Sequence, residues 1–320
     1  MVIAPAFSND RRLKLARQIT AVENDTAAGR KALDETFTTA GNAILIGVTG
    51  APGTGKSSLV NQLAKYLRQE KQLTVGIVAV DPSSPFTGGA ILGDRVRMRD
   101  LAGDEGIFIR SMASRGALGG LALATAGVVQ LLDAAGFDVV MVETVGAGQS
   151  EVEIARLAHT TLVVEAPGLG DDIQSIKAGI MEIADILVLN KSDLPGVEST
   201  ERALKANLEL GYPMSITGKA GHQGFLPGEK IVEEPRGWQP PVIKTVATKG
   251  VGMQELAEAI FRHREYLQGS TILEQRNRER LQSEFEHLLR LHLVSNWQQQ
   301  HSRNEIEGVL KRVFLRQISP

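Results

Sequence analysis

Ala43-Ile44-Leu45-Ile46-Gly47-Val48-Thr49-Gly50-Ala51-Pro52-Gly53-Thr54-Gly55-Lys56-Ser57 is the stretch on which the fold of this chain turns. An apolar run, 43–48, leads into G-x-x-x-x-G-K-S, and a helically patterned segment near 57–70 follows. The glycines let the backbone turn tightly, so that several N–H groups point into one concavity suited to phosphate oxygens. A helix beginning near Lys56 adds the positive end of its dipole. The expected phosphate contacts are Gly50, Gly53, Thr54, Gly55, Lys56, Ser57 and Ser58. Lys56 is expected to reach the β- and γ-phosphates, and the Ser57 hydroxyl to ligate Mg²⁺.

Outward from this motif, short Val- and Ile-rich runs alternate with amphipathic segments. The runs are 43–48, 74–80, 107–109, 139–142, 161–164, 186–189 and 242–246. Between them lie helical patterns near 118–135, 150–158, 172–181, 198–210 and 253–266. The runs lack clean polar alternation, as parallel strands covered on both faces do. The expectation is an α/β fold with a doubly wound, mainly parallel sheet.

Three regions sit outside that rhythm. Residues 1–40 read as helix, with Leu13, Ala16, Ile19 and Val22 at three-residue steps. Residues 211–235 hold five glycines and three prolines and read as an insertion or long loop. After about 268 no strand pattern returns. Leu281, Phe285, Leu288 and His292 share one helical face, and Ile306, Leu310, Val313 and Phe314 another. Such stripes need a cover, either the sheet domain or a second subunit.

Composition bounds the function. The chain has 320 residues, 35 Lys+Arg against 37 Asp+Glu and no cysteine. Near-neutral charge argues against a nucleic-acid stripe or a basic membrane patch. The absence of cysteine removes disulfides, thiolate metal sites and Cys nucleophiles. No signal peptide and no membrane-length apolar run is visible, so a cytoplasmic setting is expected.

Phosphoryl transfer needs Mg²⁺ held by carboxylates at strand ends. Asp81 follows one run and Glu143 another, with Gly146 three residues on. A GTPase usually carries Asp-x-x-Gly at that second place, and here it is Glu-Thr-Val-Gly. Glu143 is one methylene longer, able to hold the metal through a water or to position the attacking water. Asp94, in a glycine-containing loop, is a third metal or catalytic candidate, and Gln149 a candidate for orienting water.

Asn190-Lys191-Ser192-Asp193 follows the 186–189 run directly. The Asp193 carboxylate suits the guanine N1–H and 2-amino donors, whereas adenine would leave a charged acceptor unpaired. Lys191 can lie along the base, and Asn190 can tie this loop to the phosphate loop. Thr245-Val246-Ala247-Thr248 closes the last run, where Ala247 and Thr248 are expected to offer N–H groups to guanine O6.

These motifs together resemble the MeaB/ArgK family of methylmalonyl-CoA mutase-associated GTPases. The resemblance rests on the phosphate loop, Asp81-Pro82-Ser83-Ser84-Pro85 with Thr87-Gly88-Gly89, Ile91-Leu92-Gly93-Asp94-Arg95, Glu143-Thr144-Val145-Gly146 with Gly148-Gln149-Ser150-Glu151, Asn190-Lys191-Ser192-Asp193 and Trp238-Gln239-Pro240-Pro241. It implies an amino-terminal helical extension over 1–40, a G domain over 41–267 and a carboxy-terminal dimerisation arm over 268–320. The expected activity is Mg²⁺-dependent GTP hydrolysis to GDP and phosphate, slow because no glutamine follows Gly146 directly to position water, and accelerated when a partner orders the loops. The implied partner is an adenosylcobalamin-dependent acyl-CoA mutase, whose cofactor loading the GTPase gates and which it protects; no nucleic acid or membrane partner is expected. Two rival readings are a metal-delivery GTPase of related fold, which the scattered histidines support poorly, and a small-molecule kinase, against which Asp193 argues.

Overall fold

The computed structural model describes residues 8–82, 98–101, 103–114, 120–144, 150–168, 182–211 and 237–319. The expected helix at 172–181 and all of the 211–235 segment except Gly211 lie outside these residues.

Seven parallel strands form one sheet: β1 Ile44–Thr49, β2 Val75–Pro82, β3 Ile107–Ser114, β4 Val139–Thr144, β5 Thr160–Glu165, β6 Ile186–Leu189 and β7 Val242–Lys244, in the order β3-β2-β4-β1-β5-β6-β7. Every pairing is parallel, for example Val48 against Glu143 between β1 and β4. Every residue of β1 and β4 is buried. Alternate side chains feed two cores, as a doubly covered parallel strand requires. Ile44, Ile46 and Val48 join Val139 and Met141 under α3 (Lys56–Gln69) and a later helix, Met253–Gln268. Leu45, Val140 and Val142 face the opposite way, toward α4 (Gly120–Ala134) and α5 (Ser150–Leu157).

The amino-terminal segment is two helices rather than one, α1 Asn9–Glu23 and α2 Ala27–Thr36. The break is local chemistry. Asp25 takes a left-handed φ of 47°, and the Thr26 side chain caps α2 by accepting from Gly29 N at 3.1 Å. Gly29 lies against the Ala21 backbone, where a Cβ would collide. Leu15, Ile19 and Val22 of α1 then pack with Val128 and Leu132 of α4 in the second core. Arg12 donates to the carbonyls of Asp104, Glu105 and Ile107, and Arg110 of β3 pairs with Glu23.

The remaining described helices are α6 Val197–Gly211, α7 Met253–Gln268, α8 Ile272–Gln300 and α9 Arg303–Phe314. Internal contacts divide the chain into two units, Met1–Leu273 and Glu274–Pro320. In the second, α9 begins with a Ser302/Glu305 capping box. Leu281, Phe285, Leu288, Leu293 and Trp297 of α8 and Leu310 and Phe314 of α9 are exposed, Phe314 to 86%. No helix among the described residues is long and apolar enough to cross a membrane.

Candidate nucleotide site

The loop between β1 and α3 is built on glycines that no other residue could replace without strain. Gly50, Gly53 and Gly55 have φ of 138°, 84° and 93°. A Cβ on Gly50 would strike the Val164 carbonyl of β5, and one on Gly55 would lie 2.5 Å from the Asn190 amide nitrogen. Gly55 is also the N-cap of α3 and offers no side-chain cap, so the first N–H groups of that helix are not closed off by their own cap residue. Lys56 is 6% exposed and folds back over the loop, its Nζ donating to Gly50 O at 2.8 Å and Ala51 O at 3.0 Å. Thr54 is buried, Ser58 half-buried and Gly53 exposed.

One strand over, Glu143 is the penultimate residue of β4, inside the strand rather than after it. The Ser57 hydroxyl donates to its Oε1 at 2.6 Å, and both residues are buried. Their alignment follows from the pairing of Val48 with Glu143, which puts the end of β4 beside the loop leaving β1. Beneath them, Thr144 Oγ1 donates to Thr49 Oγ1 at 3.0 Å. Two hard oxygen donors side by side at a helix start suit Mg²⁺, which takes one or two protein oxygens and completes its shell with phosphate and water. Among the described residues no group of three or more His, Asp and Glu is placed to hold a metal by itself. Asp81 is likewise the penultimate residue of its strand, β2, and its side chain lies outside those described, as do Asp94 and Gln149 altogether.

At the end of β6, Asn190 is 2% exposed and uses both ends of its amide. Nδ2 donates to Thr54 O at 2.8 Å, while Oδ1 accepts from Thr245 Oγ1 at 3.1 Å and from Ala247 N at 3.0 Å. One side chain therefore joins the phosphate loop, the loop after β6 and the turn after β7. Lys191 adopts a left-handed φ of 55°, and its Cε lies 3.9 Å from the Cβ position of Gly55. Asp193 is 41% exposed and accepts from Lys249 Nζ at 2.9 Å. That lysine holds the carboxyl below its usual range, against the opposing effect of desolvation.

The turn after β7 differs from the sequence expectation. The strand stops at Lys244, and Ala247–Lys249 form a 3₁₀ turn closed by Gly250 at φ 69°. Ala247 is buried and Thr248 exposed. Ala247 N, expected to face guanine O6, donates to Asn190 Oδ1, and Val246 bridges to Val251 across the turn. Thus Gly50–Ser58, Glu143, Asn190–Asp193 and Ala247–Thr248 converge at the carboxyl ends of β1, β4, β6 and β7, the edge at which open α/β sheets bind ligands. Sequence reading missed Lys249. Its only local signal is a basic residue before a turn glycine, and its partner is 56 residues away.

The profile of the family described as methylmalonyl-CoA mutase-associated GTPase MeaB matches residues 15–302. A putative GTPase of Pyrococcus abyssi is 45% identical over 97% of this chain and 90% of its own length. GTPase ArgK of Escherichia coli K12 is 40% identical over 82% of this chain and 76% of its own. Among solved structures, the crystal structure of an LAO/AO transport system kinase is similar with a TM-score of 0.67 and 29% identity, over 97% of this chain and 89% of the other.

Proposed function

The chain belongs to the MeaB family of methylmalonyl-CoA mutase-associated P-loop GTPases, and on that premise we propose that this GTPase serves as the GTP-driven chaperone of an adenosylcobalamin-dependent acyl-CoA mutase. In this reading residues 41–267 are the catalytic domain, 1–40 its helical extension and 268–320 a dimerisation arm. The apolar stripe of α8 supports the arm, because exposed leucines and aromatics at helical spacing are stable in water only when covered.

The chemistry is attack of water on the γ-phosphorus of GTP, forming a new P–O bond as the bond to the β-phosphate oxygen breaks and GDP leaves. The N–H groups of the Gly50–Gly55 loop and of the first turn of α3 bind the β- and γ-oxygens. Lys56 exchanges its two loop carbonyls for phosphate oxygens and neutralises charge there. Ser57 and Glu143, with Asp81, would hold Mg²⁺, which would supply neutralisation of phosphate charge. Asp193 accepts from the guanine N1–H and 2-amino group, Lys191 covers the base, and Ala247 and Thr248 border O6. Asp94 and Gln149 are our candidates for ordering the γ-phosphate side and the attacking water.

The observation that carries the guanine reading is the Asn190 amide. Its bonds to Thr54 and Ala247 hold the loop that bears Asp193 at a fixed offset from the phosphate loop. The mutase reading is supported by the family's described association. The test is nucleotide turnover by the full chain, with GTP and ATP, alone and with the purified mutase. Expected are a preference for GTP, slow turnover alone and faster turnover with the mutase. Unchanged turnover on adding the mutase would sink the chaperone reading. Preference for ATP with a phosphorylated small-molecule product would instead favour a kinase, the activity for which the solved relative is named.

A further inference from the structure

We propose that Lys249 is the positioning residue of the base site, the group that fixes the Asp193 carboxylate in the orientation that reads guanine. The proposal rests on the guanine reading above and adds a residue to it. Asp193 is on the exposed side of its loop, and a free aspartate there could swing about χ1 and χ2 with little cost. Guanine discrimination requires both of its oxygens at once, one toward N1–H and one toward the 2-amino group. Lys249 Nζ, at 2.9 Å from Oδ2, is the charged partner that restricts this swing. A carboxylate has about four acceptor positions, so one bond from Lys249 leaves room for both base donors.

The backbone that carries Lys249 is held in place by bonds that need no ligand. Its N–H donates to Val246 O at 2.9 Å, Gly250 N donates to Ala247 O at 3.2 Å, and Val246 bridges to Val251. Ala247 N is bound by Asn190 Oδ1, and Ser192 N by Thr245 O at 3.0 Å, so the two loops carrying the ion pair are joined at their bases. An exposed pair of this kind adds little to folding. Its arrangement makes sense as control of direction: the lysine approaches the carboxylate from the turn that also borders the base.

The experiment titrates GDP and IDP against the full chain, its K249A, K249R and D193A variants, and K249A/D193A. IDP keeps N1–H and lacks the 2-amino group, so it reports one of the two Asp193 bonds. Replacing Lys249 by Ala should weaken GDP by about two- to fivefold, the factor matching an exposed ion pair. IDP should weaken less, so the GDP/IDP ratio falls. Lys249→Arg should restore the ratio, and in the D193A background removing Lys249 should change nothing further. An unchanged GDP/IDP ratio in K249A overturns the proposal, as does tighter GDP binding, which would mean that Lys249 competes with the base. An effect of K249A that persists undiminished in the D193A background overturns it too. Failure of the guanine reading itself has a different signature: wild-type chain that binds ADP as tightly as GDP.

Discussion

At the residue scale the site divides into groups that are buried and bonded and an exposed ion pair, Asp193 with Lys249. Lys56, Ser57, Glu143 and Asn190 are all under a tenth exposed, and each is bonded to a neighbour that is part of the site. Asp193 stands apart, reached by solvent and steadied by one lysine. Specificity can therefore be altered there with little cost to the fold. Replacing Asp193 by Asn exchanges an acceptor-only group for one that also donates. That removes a bond to N1–H or the 2-amino group and creates a donor for the 2-oxo oxygen of xanthine. The expected outcome is loss of GTP preference by about tenfold or more with gain of XTP use, read from competition titrations with the two triphosphates. GTP use unaltered by this change would show that the base lies elsewhere.

At the element scale, α3 is the piece on which phosphate binding and stability meet. Its first turn presents Lys56 and Ser57, while Leu59, Val60, Leu63 and Leu67 further along are fully or almost fully buried against the sheet and α7. Leu63→Ala should cost about 2–5 kcal/mol, seen as a lower urea midpoint at unchanged slope. A loss well under 1 kcal/mol would mean that the helix is not anchored as described. The same scale shows what the sequence makes legible. The strand–loop–helix unit is local and every signal in it is contiguous, so its residues and order can be read directly. The length of β3 cannot. Its run of apolar residues ends at Ile109, but the strand continues to Ser114. Arg110 is satisfied by Glu23, a residue of a helix far away in sequence. The break at Asp25-Thr26 carries a capping signal, and the three-residue apolar step ends at Val22, so the two helices are separable in the sequence even though the segment reads as helix throughout. Lys249 is illegible for the reason β3 is: its meaning lies in a partner supplied by another loop.

At the scale of the whole molecule, the Glu274–Pro320 unit presents more apolar surface than two helices keep in water unaided. Light scattering on the full chain should give twice the mass of one chain. Changing Phe285 and Leu288 together to Asp should give a single-chain mass with GTP binding retained. A wild-type monomer at micromolar concentration would remove the arm's proposed role. The other end of the chain carries a different consequence. β3 and β7 are the two edges of the sheet; β7 has three residues and β3 has eight. Among the described residues no strand pairs with the outer side of β3, and an edge of eight residues is the kind of template that strand addition uses. Arg12 of α1 already occupies the Ile107 carbonyl at the start of that edge, at 2.7 Å, with the Asp104 and Glu105 carbonyls beside it. An incoming strand would have to strip that guanidinium away before it could add to the sheet there. The first helix thus sets a fixed positive charge on the opening carbonyl of that edge, the kind of charge that discourages edge-to-edge pairing, a consequence separate from anything that nucleotide or partner asks of the fold.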